Sequence, residues 1–139
     1  MTLLDSPAHR RTRWLIAAIY IPFGVLHVVH RHAFLAIMPP LVPWPIAVIV
    51  FTGLCEIAGG VGLLVPRTRR WAGIMLGLYA LCVWPANIYH AFSGAHVPPL
   101  PDSWWYHGPR LALQPLFIVA PLWASGVWTR PFHPGNKAA

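Results

Sequence analysis

The amino-acid sequence predicts an all-α fold: an integral membrane four-helix bundle with a short interfacial or re-entrant segment between its first two helices. Three observations carry this. Hydrophobic residues make up 57% of the 139-residue chain and charged residues 9%, against roughly 25% charged in a soluble domain. Four apolar runs, approximately residues 14–30, 45–65, 71–90 and 111–128, are long enough to cross about 30 Å of hydrocarbon. Arginine falls between those runs on alternate sides. Residues 1–139 read as a single transmembrane domain.

The first run follows Arg10, Arg11 and Arg13, as a signal peptide would, but no small-x-small cleavage pattern follows it, so it reads as an anchor. Residues 31–44 are apolar yet short and broken by Pro39, Pro40 and Pro43, which suits an interfacial or re-entrant segment. The second run carries Gly53, Gly59, Gly60 and Gly62, and the third carries Gly73-x-x-x-Gly77. Small residues of this kind let helix backbones approach closely in lipid. Residues 91–109, with Trp104, Trp105 and His107, read as an aromatic cap at the membrane surface. Cys55 and Cys82 lie mid-run without a C-x-x-C and read as small buried hydrophobes.

Charge sets the orientation. Arg10, Arg11, Arg13, Arg67, Arg69, Arg70, Arg130 and Lys137 share one side, and only Arg31 and Arg110 fall on the other. The positive-inside rule places both termini in the cytoplasm of a plasma (inner) membrane. The net charge of +7 therefore reflects topology, and no nucleic acid partner is expected. Trp14, Trp44, Trp71, Trp104, Trp105 and Trp128 lie near run ends, where indoles favour the interface.

Glu56 is the only glutamate, and it sits in the middle of the second run. An acidic group there costs about 3 kcal/mol on insertion scales, so it is expected to have a partner, a proton or a role. Gly53, Glu56 and Gly60 are spaced to share one helix face, which turns Glu56 into the bundle. Counting depth at about 1.5 Å per residue puts His27, Asn87, His90, Arg110 and Gln114 in the outer half, with Glu56 deeper. Gln114 or Asn87 is the expected neighbour of Glu56, because Arg110 lies about three turns away. His30 and His90 sit at headgroup level in this reading. Pro22, Pro85 and Pro115 each remove a backbone hydrogen bond nearby, as in a polar pocket between helices. Tyr20, Phe23, Trp84 and Phe117 are placed to flank a ring. The outer histidines lack a recognisable ligand set, so no metal site is assigned; haem or metal ranks behind quinone as a cofactor.

These residues resemble the DoxX-like family of small membrane proteins. The resemblance rests on Gly24-Val-Leu-His27, Ile37-Met-Pro-Pro40 with Pro43-Trp-Pro45, the stretch from Gly53 through Glu56 to Pro66 and Arg67, Pro85-Ala-Asn-Ile88, and Arg110-Leu-Ala-Leu-Gln114. The family pattern usually has Pro where this chain has Ala112, and Met is common where it has His90. The resemblance implies a four-helix membrane protein. The family takes its name from a component associated with a quinol oxidase. Some relatives are described as thiosulfate:quinone oxidoreductase subunits and others as assembly or chaperone partners.

Three functions follow as expectations. The first is a redox-associated component that binds a quinone-like or other amphiphilic ligand. Glu56 would act as the proton-exchanging, catalytic group, and His27, Asn87, His90, Arg110 and Gln114 would bind the ligand. The second is a non-catalytic assembly factor or accessory subunit. The third is a small proton-linked transporter, which with four spans would need to oligomerise. The partners expected are the lipid bilayer and either a membrane-complex subunit or a second copy of the chain.

Overall fold

A computed structural model describes residues 6–98 and 100–128. Among them are five α-helices, one 3-10 helix and no strand. The helices are α1 (Pro7–Val29), α2 (Pro45–Leu64), α3 (Arg69–Ser93), α4 (Trp104–Ala112) and α5 (Gln114–Ala124), with the 3-10 helix at Ala33–Ile37. Arg130 and Lys137, counted above for orientation, lie outside the described residues.

Local chemistry explains the boundaries. Ser6 caps α1 by accepting from the His9 backbone N–H at 3.4 Å, and Pro7 opens the first turn. The helix therefore begins a full two turns before residue 14. Arg13 lies inside it, not ahead of it. Its guanidinium is buried and donates to the Ala124 carbonyl at 3.0 Å, satisfying a group at the end of α5. Pro45 opens α2. α3 ends at Gly94, whose φ of 67° is the left-handed cap that glycine adopts without strain.

The fourth run differs from expectation. Instead of one helix over 111–128, α4 and α5 meet at Leu113. The cause is Pro115, which has no N–H for the Leu111 carbonyl and whose ring crowds it. α1, α2 and α3, at 23, 20 and 25 residues, are long and apolar enough to cross a membrane. α5, at 11 residues, is about 17 Å long and falls short alone.

α1 packs along α2, α2 against α3, and α3 along α5, which closes back on α1. Glycine sets two of these contacts. A Cβ on Gly24 would lie 2.5 Å from the Gly53 carbonyl oxygen, so α1 and α2 touch backbone to backbone there. A Cβ on Gly73 would lie 2.7 Å from the Pro121 carbonyl oxygen, which holds α3 against α5. One apolar cluster, around Ile16, Tyr20, Leu63 and Leu76, fills the space between helices. Another joins Phe34 and Ile37 of the 3-10 helix to Ile49, Val97 and Leu100. The segment between α1 and α2 is thus packed down over one end of the helices.

The six tryptophans placed near run ends are all exposed. Cys82 is exposed as well and Cys55 partly so, both free thiols. The reading of Cys82 as a buried hydrophobe does not hold.

Candidate functional site

Glu56 is 5% exposed and faces the interior. Its neighbour is His27, whose Nδ1 lies 2.8 Å from Glu56 Oε2. The glycine contact explains the meeting. Gly24 sits against Gly53 and Glu56, and Gly53 sits against Gly24 and His27. Helical side chains lean toward their own N-terminus. In this antiparallel pair, the side chains of His27 and Glu56 lean toward each other across the glycines. His27 Nδ1 is also 2.9 Å from the Phe23 carbonyl oxygen, which can only accept, so that nitrogen carries the proton. The N–H is directed at Phe23. Oε2 is close to it electrostatically but has no aligned donor. The His27 ring stacks on Phe34 at 4.2 Å. Tyr79 of α3 lies close enough to Glu56 to interact with it electrostatically.

Asn87 and Gln114, the expected neighbours of Glu56, instead hydrogen-bond to each other, to Arg110 and to the Ala80 carbonyl. The close approach of α1 and α2 at Gly24 and Gly53 brings His27 to Glu56.

Those three residues form a second polar group. Arg110 donates through one terminal nitrogen to Asn87 Oδ1, Asn87 Nδ2 donates to Gln114 Oε1 at 3.0 Å, and Gln114 Nε2 donates to the Ala80 carbonyl at 2.6 Å. Each of these three nitrogens meets an acceptor. Gln114 is 2% exposed, and both ends of its amide are paired. Its acceptor is one residue before Leu81, whose carbonyl Pro85 leaves without a helical N–H. The other terminal nitrogen of Arg110 approaches Tyr106 Oη at 3.2 Å and His90 Nδ1 at 3.1 Å, and the guanidinium lies 5.2 Å from the Tyr106 ring centre.

His90 is 1% exposed and lies in the last turn of α3. It stands behind Arg110, edge to face with His107 at 4.7 Å. Arg110 can only donate, so His90 Nδ1 accepts and the proton sits on Nε2. Neither His90 Nε2 nor His107 Nδ1 has a hydrogen-bond partner, and both are buried. Burial first, and then the Arg110 charge, hold His107 below its ordinary pKa. No group of three or more His, Cys, Asp or Glu among the described residues is placed to hold a metal ion.

Both polar groups line one cavity of about 590 Å³. His27 and Glu56 contribute from α1 and α2, and Asn87, Arg110 and Gln114 from α3, α4 and α5. Tyr20, Phe23 and Phe117 form part of the apolar wall, whereas Trp84 does not reach it. Phe34, Ile37, Met38 and Val42 close it from the segment between α1 and α2. Of the expected site residues, only His90 lies off the cavity.

Sequence reasoning missed Tyr79, Tyr106, His107 and Arg13. Tyr106 had a signal: it stands four residues before Arg110, one helical turn away. Tyr79 had none beyond its place in an apolar run.

Fold and cavity together define a class: an all-helical protein with three helices long and apolar enough to cross a membrane and an apolar-walled cavity that carries two polar groups. Residues 16–127 match the family model described as Domain of unknown function (DUF8561), and the chain belongs to that family. No curated protein and no solved structure matches it.

Proposed function

We propose that this chain is a small DoxX-like protein of the inner membrane that binds a quinone-like or other amphiphilic ligand in the cavity, as a redox-associated component. One observation carries the reading: two separate polar groups, from five helices, face the same apolar-walled space. A volume of about 590 Å³ is within the range of small-molecule sites. α5, extended by the last turn of α4, completes a four-helix bundle, and both termini are cytoplasmic. Glu56 and His27 hold a proton at one pole. Arg110, fixed by Asn87 and Tyr106, binds a ligand oxygen at the other. Reducing a quinone to a quinol takes two electrons and two protons. Glu56 and His27 relay one proton to the ligand oxygen they face. The Tyr106 hydroxyl, which accepts from Arg110, passes the second to the oxygen at that pole and regains it from solvent. A partner subunit supplies the two electrons.

The test is an organic extract of the detergent-purified protein. The expected result is near-stoichiometric amphiphile, a quinone being recognised by an ultraviolet band that shifts on borohydride reduction. An extract holding only bulk lipid contradicts it.

A second reading, an accessory or assembly subunit, is favoured by the relay from Arg110 to the Ala80 carbonyl, which ties three helices without any ligand. A ligand-free protein that co-purifies with a larger membrane complex would establish that reading.

Orientation has its own test. Single cysteines at Thr68 and Ser103, in a variant lacking Cys55 and Cys82, are expected to label with a membrane-impermeant maleimide from opposite sides. Labelling of both from outside contradicts cytoplasmic termini.

A further inference from the structure

We infer that the ligand is a monoanionic amphiphile whose carboxylate binds Arg110; this rests on the ligand-pocket reading above and takes its amphiphile branch in place of a neutral quinone. The argument starts from a charge balance. Arg110 is partly buried and lines the cavity. Its partners are Asn87, Tyr106 and the acceptor nitrogen of His90, none of which carries negative charge.

Neither carboxylate among the described residues pairs with Arg110. Glu56 faces His27, and Asp102, whose charge reaches His90 and His107, pairs with the exposed His96. A guanidinium cannot shed its proton to escape burial. A desolvated charge without a counter-charge is costly. An anion arriving from outside the chain removes that cost.

The geometry also suits the anion. A guanidinium presents five N–H donors in a planar fork that matches a carboxylate. The bonds to Asn87, Tyr106 and His90 fix that plane before the ligand arrives and leave other N–H groups unassigned. Among the described residues no other Lys or Arg lines the cavity. One fixed positive charge balances one negative charge, which selects a carboxylate over a doubly charged phosphate monoester. The apolar body of the ligand then lies on Phe34, Ile37 and Ile49, and its far end reaches toward Glu56.

The experiment uses the full chain in phosphatidylcholine nanodiscs. A nitrobenzoxadiazole-labelled dodecanoic acid and its methyl ester are titrated by fluorescence anisotropy near neutral pH, with empty nanodiscs as the blank. Wild-type protein is expected to bind the acid at least about tenfold more tightly than the ester, the ratio for one charge-assisted pair. Arg110→Met is expected to bring the ratio to about one, and Arg110→Lys to retain a preference for the acid. The wild-type ratio alone decides the matter if Arg110→Met does not fold. Equal binding of acid and ester by wild type overturns the inference, as does a preference that survives in Arg110→Met.

Val83→Trp, which fills the cavity wall, separates this failure from failure of the pocket reading. Equal binding lost in Val83→Trp leaves the pocket standing and removes only the anion. Absence of binding by either probe, or binding unchanged in Val83→Trp, overturns both.

Discussion

Glu56→Ala is expected to destabilise the purified protein by about 2–3 kcal/mol. The loss has two parts. Truncation leaves a space where the buried carboxyl sat beside Tyr79, and His27 loses the carboxyl 2.8 Å from its Nδ1. Neither has water available if the helices lie in lipid. Glu56→Gln separates packing from chemistry. The amide keeps the shape and a polar group beside His27 and Tyr79, so the variant should melt close to wild type. It carries no exchangeable acidic proton, so pH-dependent ligand binding or turnover should vanish. Thermal melts in detergent and ligand titrations over a pH series measure both effects. An alanine variant with wild-type stability and activity would end the case for Glu56.

Gly24→Val should be at least as damaging, at about 3 kcal/mol. A Cβ there meets the Gly53 carbonyl oxygen at 2.5 Å, Ile57 Cγ1 at 2.8 Å and Glu56 Cβ at 2.9 Å. The first of these is backbone and cannot rotate away. Relief requires α1 and α2 to part, which also separates His27 from Glu56. Gly108→Ala is the control: outside its chain neighbours and its own helix backbone nothing lies within 4 Å of the added carbon, and only the Pro109 ring, which crowds the Cβ of the residue before it, opposes the helix preference of alanine. It should cost less than about 1 kcal/mol in the same melt. Equal melts for the two variants would show that the close approach at Gly24 is not required.

The residues that the sequence placed correctly were those governed by local rules. The apolar runs give three long helices. The spacing of Gly53, Glu56 and Gly60 turns Glu56 inward, and all three are buried. What failed depended on tertiary placement. That His27, and not Asn87 or Gln114, meets Glu56 depends on the close approach of α1 and α2 at Gly24 and Gly53, which hydropathy does not show. Arg13 was read as a topology charge because its acceptor, Ala124, lies at the far end of the chain. The break at Leu113 was legible: Pro115 could not continue the hydrogen-bond ladder, and the run was still drawn as one helix. The relay through Asn87 and Gln114 needed knowledge of which faces of α3 and α5 meet.

The central claim is that the cavity between the two polar groups holds a ligand. Native mass spectrometry of the protein released from mild detergent tests it most directly, comparing wild type with Val83→Trp. The account predicts a discrete adduct of a few hundred daltons on wild type, the size expected for a cavity in the small-molecule range, and its loss when the tryptophan fills the wall. A bare wild-type chain, or an adduct that persists unchanged in Val83→Trp, would contradict it.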